Sequence, residues 1–300
     1  MDKTTDMTDN AARGHLLIIG GSEDREHDMP VLTRFVELSG GPGQPVAVIT
    51  AASEIGDEVF EMYRVAFAEL GVTHMSHVHL DSPKEAGSEK LLARIREAKG
   101  IFITGGDQKR LLEMIGGTLI HAEIASAYAN GACIAGTSAG ASAMSRFMLA
   151  EGKAELEPEK GAIRLSPGLG LVERVVFDQH FAQRKRLPRL LSILAERPDL
   201  YGIGLDEDTA LLISPGRGID VIGDGAVTLI DGLNMISNID ALDKGDVPRL
   251  IDVRLHLLPS GTRFHADADA GDDAGESNPV PAPFQDFFDA ITQREQRDPS

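Results

Sequence analysis

From His15 onward, short apolar runs, most of them ending at or beside glycine, alternate with longer segments of helical periodicity. That rhythm restricts the chain to a parallel sheet flanked by helices. The runs are His15-Leu-Leu-Ile-Ile-Gly-Gly21, Pro45-Val-Ala-Val-Ile-Thr50, Gly100-Ile-Phe-Ile-Thr-Gly-Gly106 and Ala132-Cys-Ile-Ala-Gly-Thr137. Each has the near-continuous apolar character of a strand buried on both faces. Helical spacing predicts helices near 28–39, 57–70, 87–98 and 107–129. After Gly168 the rhythm changes to a strand-like run over Val172–Phe177, a helix near 188–196, and strand-like runs near 202–213, 219–230 and 250–258. The expected fold is α/β, a doubly wound, mostly parallel sheet forming one domain over about 14–264, with mixed strands late in the chain.

Two ends fall outside that domain. Residues 1–13 read as a polar tail, and 265–300 as an acidic extension. Ala266–Pro283 is Ala, Asp, Gly and Pro with almost no large apolar side chain, so disorder is expected there. Phe284, Phe287, Phe288 and Ile291 then recur at helical spacing, which predicts a short amphipathic helix over 284–294, docked on its own domain or on a partner subunit.

Charge excludes several functions. With 29 Lys and Arg against 47 Asp and Glu, the formal charge is −18, the wrong sign for a general nucleic-acid or anionic-membrane surface. No stretch approaches the ~18 consecutive apolar residues of a membrane helix. The polar start, Met1 to Arg13, has no secretory pattern, and a single cysteine excludes an internal disulfide and any cysteine-built metal cage. A cytoplasmic address is expected.

Gly136-Thr137-Ser138-Ala139-Gly140 matches the G-x-S-x-G elbow, a sharp strand-to-helix turn that exposes a serine hydroxyl. Composition alone yields such a pentapeptide roughly 0.2 times per chain, so its context has to carry it. A buried strand, Ala132 to Ala135, runs into the motif, and a helix start of small residues, Ala139 to Met144, leaves it. A serine hydroxyl needs a base, and His180 stands at the carboxyl end of the run Val175-Val-Phe-Asp-Gln-His180, the edge where such sheets bind ligands. The third member should be a carboxylate that orients the imidazole. Asp206, Glu207 and Asp208 offer three in an otherwise apolar, strand-like stretch; alternation sets Glu207 opposite the other two, and spacing leaves the choice open. Arg184, Lys185, Arg186 and Arg189 then cluster at a helix start in an acidic protein, a place suited to carboxylate recognition. The loops Gly20–Asp24 and Gly105–Gln108 follow strands, and either offers backbone amides to an oxyanion.

These separated motifs resemble, in order, the cyanophycinases, serine-type exopeptidases. They are the elbow from Gly136 to Ala141, Thr104-Gly-Gly-Asp-Gln108, Asp178-Gln-His-Phe181 with Arg184, Arg186 and Arg189, and Gly202-Ile-Gly-Leu-Asp-Glu-Asp-Thr209. The resemblance runs from about 14 to Phe264. It implies a three-layer, flavodoxin-like sandwich akin to class I glutamine amidotransferases and aspartyl dipeptidases. It further implies Ser138 as nucleophile, His180 as base and Glu207 as orienting acid, with Gln108, Asp178, Gln179, Arg184, Arg186 and Arg189 binding substrate. On that reading the amides of Gly106 and Ala139 hold the oxyanion, and the arginines meet carboxylates while Asp178 or Asp107 meets guanidinium. The substrate would be cyanophycin, or oligomers containing β-Asp-Arg, with the β-Asp-Arg dipeptide as product, and the enzyme would be a homodimer with no metal and no cofactor.

Three competing readings remain at this stage. An aspartyl dipeptidase would use the same triad on small Asp-X peptides. A metallohydrolase would use His77-Val-His79-Leu-Asp81, although the position after Asp81 is Ser82 rather than histidine. A flavodoxin-like binding module would share the glycine-rich strand ends but give the serine, histidine and carboxylate no reason to coexist. Cys133, five residues before the elbow, reads as a small buried hydrophobe.

Overall fold

A computed structural model describes residues 13–152, 156–266 and 278–292. Residues 1–12, and the parts of the acidic extension at 267–277 and 293–300, lie outside the described residues.

The first half of the chain builds a regular α/β layer. In order come β1 (Leu16–Ile19), α1 (Pro30–Leu38), β2 (Val46–Ile49), α2 (Gly56–Glu69), β3 (Met75–Val78), α3 (Glu89–Glu97) and β4 (Gly100–Ile103). These are followed by α4 (Gln108–Ile115), α5 (Leu119–Ala129), β5 (Cys133–Thr137) and α6 (Ala139–Ala143). Strands β3-β2-β4-β5-β1 lie parallel and side by side. Their residues alternate between two cores, as a period of two demands. Leu17, Ile19, Val48 and Phe102 pack with Leu32, Phe35 and Phe67 of α1 and α2. Leu16, Ile18, Ile49 and Ile103 pack with Ile95, Leu111, Ile120 and Ile124 of α3, α4 and α5. The helix expected over 107–129 is two helices, divided at Gly116-Gly117, where Gly117 takes φ 68°.

The second half adds β6 (Phe147–Gly152), β7 (Ile163–Pro167), β8 (Val175–Asp178), α7 (Leu187–Glu196), β9 (Tyr201–Leu205), β10 (Thr209–Ser214), β11 (Gly218–Gly223) and β12 (Ala226–Asp231). It closes with β13 (Ile236–Ser237), β14 (Leu250–Ile251), β15 (Arg254–Pro259), β16 (Arg263–His265) and α8 (Gln285–Thr292). The apolar runs near 202–213 and 219–230 each split between two sheets. Strands β10, β11 and β16 extend the large sheet antiparallel beyond β1, whereas β8, β9, β12 and β15 form a second sheet of four. One face of this second sheet joins the core of the first through Val175, Phe177, Ile203 and Leu229, and α7 covers the other face through Leu190, Ile193 and Leu194.

Residues 278–292 pack on this body. Phe284, Phe287, Phe288 and Ile291 are buried in the same core, Phe287 meets Tyr201 edge to face, and the Gly216 amide donates to the Thr292 carbonyl at 2.9 Å. The chain beyond 264 therefore returns to the domain, which the apolar spacing of its helix could not locate.

Candidate active site

Ser138 stands where β5 turns into α6, at φ 52° and ψ −111°. A side chain held there carries roughly 1–3 kcal/mol of strain, which the surroundings must impose. They do so by close packing. A Cβ on Gly136 would lie 2.6 Å from the carbonyl carbon of Gly140, and one on Gly140 would lie 2.3 Å from the Ile103 carbonyl oxygen. The two motif glycines thus let α6 seat against β5 and β4, and the serine between them is left projecting.

His180 follows β8, at the carboxyl edge of its sheet, and its amide donates to the Gly20 carbonyl at 2.8 Å. Its Nε2 is 3.1 Å from Ser138 Oγ, and its Nδ1 is 2.6 Å from Glu207 Oε1. With Nδ1–H donating to the carboxylate, Nε2 is left to accept the serine proton. The His180 side chain is 9% exposed. Burial holds its pKa below the usual 6.5; the hydrogen bond to Glu207 opposes that shift and the charge of Arg184 adds to it. At neutral pH the ring is therefore a free base.

The acid comes from a turn, not from the strand expected there. Between β9 and β10 the chain leaves one sheet for the other, and Asp208 adopts φ 47°. The three carboxylates separate by partner. Asp206 accepts the amides of Ala182 and Ala226 at 3.0 and 3.2 Å, Asp208 accepts the Asp24 amide at 2.8 Å, and Glu207 faces His180. Gln183, which sequence reasoning passed over, holds the turn by accepting the Glu207 amide at 3.1 Å.

Of the two glycine loops, Gly105-Gly106 lies against the nucleophile, since a Cβ on Gly105 would come 3.1 Å from that of Ser138. Gly106 takes φ 141°, where a Cβ would meet the Ala52 carbonyl oxygen at 2.4 Å, so no other residue fits without a shift. Ala139 opens α6, and its amide has no carbonyl to donate to within the helix. The Gly20–Asp24 loop is committed elsewhere. The Gly20 amide donates to Thr209, and Gly21 passes so close beneath His180 that a Cβ would lie 2.4 Å from the ring.

The model of Peptidase family S51 matches residues 16–221, a span that contains all three side chains. The chain belongs to this family. Among S51 relatives, a cyanophycinase of Geminocystis herdmanii is 34% identical over 255 residues, covering 84% of this chain and 94% of that protein. Another, from Trichormus variabilis, is 32% identical over 260 residues, covering 86% and 87% respectively. A solved peptidase from an acI-B1 actinobacterium shares the fold, with a TM-score of 0.59 at 19% identity, covering 86% of this chain and 99% of its own.

Within this S51 site the basic cluster is divided by function. Asp178 is fully buried, and its oxygens accept Arg186 at 2.8 Å, Arg189 at 2.6 and 2.9 Å, and the Gln179 amide at 3.0 Å. The expectation that Asp178 meets a substrate guanidinium is thereby corrected: its charge is already shared by two arginines, and it acts as their organiser. Asp107 is exposed and caps α4 through one oxygen, Oδ1 accepting the amides of Lys109 and Arg110 at 2.7 and 2.9 Å. Arg184 is exposed and makes no ion pair among the described residues. Gln179 Oε1 and Gln108 Nε2 are buried atoms with no hydrogen-bond partner among the described residues, as are Arg110 Nε, Tyr128 Oη and Ser142 Oγ.

His77 and His79 do not form a cage. Both turn to the hydroxyl of Thr50, at 2.8 and 2.9 Å, and no group of three His, Cys, Asp or Glu among the described residues gathers around a point. Cys133 is buried within β5, and burial pushes its thiol well above the ordinary range, where it is a poor nucleophile. No helix among the described residues is long and apolar enough to cross a membrane.

Proposed function

We propose that this S51 peptidase is a cyanophycinase, a serine-type exopeptidase that hydrolyses multi-L-arginyl-poly-L-aspartate to β-Asp-Arg dipeptides through an acyl-enzyme. The observation that carries the reading is the Ser138–His180–Glu207 relay, at 3.1 and 2.6 Å, in a chain about one-third identical to cyanophycinases over most of its length. Ser138 Oγ attacks the backbone carbonyl as His180 Nε2 takes its proton, and the amides of Ala139 and Gly106 receive the developing oxyanion. The C–N bond then breaks, His180 returns the proton to the leaving amine, and water, deprotonated by the same imidazole, releases the acyl group. Glu207 stabilises the imidazolium in both halves. Each repeat of the polymer presents an arginine α-carboxylate. Arg184 lies open to meet it, Asp178 fixes Arg186 and Arg189, and Gln179 and Gln108 each hold a buried amide atom with no partner among the described residues.

Incubation with insoluble cyanophycin, in parallel with free α-Asp dipeptides, tests the reading. Release of β-Asp-Arg from the polymer with little cleavage of the small peptides is expected. The reverse preference would make the chain an aspartyl dipeptidase instead.

The cytoplasmic address and the homodimer expected above belong to the same proposal. Support for self-association comes from β15, the outer strand of the second sheet, whose Leu255 and Leu257 are 52% and 61% exposed. Sedimentation is expected to give twice the chain mass, and Leu257→Glu to give the monomer with the fold intact.

A further inference from the structure

Glu23 is a charged side chain in a place where charge is expensive. It sits in the loop after β1, 2% exposed, and its oxygens accept hydrogen bonds from the Tyr63 hydroxyl and, at 2.5 Å, from Thr137 Oγ1. One cation approaches it, Arg25 Nη1 at 3.7 Å. Burying a carboxylate against two hydroxyls and a distant guanidinium is a poor way to gain stability, because desolvation outweighs such partial pairing. Tyr63 stays a donor in this arrangement, since burial, and then the nearby Glu23 charge, raise its hydroxyl far above the ordinary tyrosine range.

The surroundings give the carboxylate a use. Thr137 is the last residue of β5 and immediately precedes Ser138. The loop carrying Glu23 meets the other two catalytic segments as well. Gly20 O accepts the His180 amide at 2.8 Å, and Gly21 lies against the imidazole. Gly21 O accepts the Asp208 amide at 2.9 Å, and the Asp24 amide donates to Asp208 Oδ1 at 2.8 Å, next to Glu207.

We propose that Glu23 is a positioning residue for the hydrolysis: by holding Thr137 it fixes the nucleophile elbow to the loop that is hydrogen-bonded to the segments of the base and the acid, and so sets the Ser138–His180 separation. The inference rests on the reading of Ser138 and His180 as the reacting pair. A misplacement of about 1 Å in such a pair costs on the order of 10²-fold in rate, so loss of one link should cost less than that.

Glu23→Gln is expected to lower kcat on cyanophycin about 10–50-fold with KM within about threefold, since the group is buried away from substrate, and with an unchanged circular dichroism spectrum. Thr137→Val should lower kcat similarly, while Thr137→Ser, which keeps the hydroxyl, should recover most of it. Because the two residues act through one contact, the double variant Glu23→Gln/Thr137→Val should be no slower than the slower single. Should Glu23→Gln fail to fold, the Thr137 pair carries the test alone. Unchanged kcat in Glu23→Gln, losses that add in full, or equal losses in Thr137→Val and Thr137→Ser would overturn the proposal. Ser138→Ala measured beside them separates the two levels. If it retains activity, the reading of the reacting pair is wrong, whereas if it is inactive and Glu23→Gln is fully active, only the role of Glu23 is wrong.

Discussion

Ser138→Ala is expected to reduce cyanophycin turnover by about 10⁴-fold or more, because the hydroxyl that forms the acyl-enzyme has no substitute within the site. The neighbouring arrangement supports that size of effect. His180 Nε2 has Ser138 Oγ as its partner at 3.1 Å, whereas the neighbouring Thr137 hydroxyl is turned to Glu23 and the Cys133 thiol is buried in the sheet. Substrate affinity should change little, since the arginines and glutamines that face substrate in the proposal lie on other segments. A second substitution separates chemistry from backbone strain. Ser138→Gly is equally unable to react, yet glycine occupies φ 52°, ψ −111° without opposition from a Cβ. Its melting temperature is therefore expected to exceed that of Ser138→Ala, by an amount equivalent to about 1 kcal/mol. Turnover within tenfold of wild type in either variant would remove Ser138 from the mechanism.

Four strands of the parallel half, β1, β2, β4 and β5, were legible because they are buried on both faces, and that burial leaves apolar runs with little polar interruption; the four are adjacent in the large sheet. The later strands were less legible for a physical reason. A run such as 202–213 is apolar on both sides of Asp206–Asp208, and that pattern does not record that the chain changes sheets there, where the positive φ of Asp208 makes the bend. The division at Gly116-Gly117 was missed because apolar residues recur at helical spacing on both sides of it, Leu111, Met114 and Ile115 before and Ile120, Ile124 and Tyr128 after, although the step of five from Ile115 to Ile120 breaks the register.

The site divides along similar lines. Ser138 and His180 announce themselves through their local setting, each at the end of a buried strand. Glu207 does not, because its two acidic neighbours are excluded by amides from Ala182, Ala226 and Asp24, contacts far away in the chain. Asp178 misled for the opposite reason. Its position beside the base suggests a ligand contact, but a fully buried carboxylate needs its own cations, and α7 delivers Arg189 to it while the loop before that helix delivers Arg186. Glu23 gives one signal, an acidic residue in the Gly20-Gly21-Ser22 loop that follows β1, whose burial the sequence alone does not reveal.

Glu207→Gln should separate the two tasks of the orienting acid, by height and by position of the pH profile. A glutamine can still contact Nδ1 through its carbonyl oxygen, but it carries no charge to stabilise the imidazolium and can present its amide instead, which selects the wrong tautomer. The plateau of kcat/KM is expected to fall about 10³-fold, somewhat less than for a fully buried acid, since Glu207 is 35% exposed and solvent shares its task. The position of the acid limb follows from the sign of each contribution. In the wild type the free base is the active form, so kcat/KM rises with pH through the pKa of His180, which burial places below 6.5. The hydrogen bond to Glu207 raises that pKa, so its loss should move the limb to still lower pH. The charge of Arg184 lowers the pKa, so Arg184→Gln should move the limb upward, toward the unperturbed value. Opposite displacements in the two variants would trace the limb to the imidazole they flank; displacement in the same direction, or none in either, would mean that another group governs the profile and that His180 is not the base.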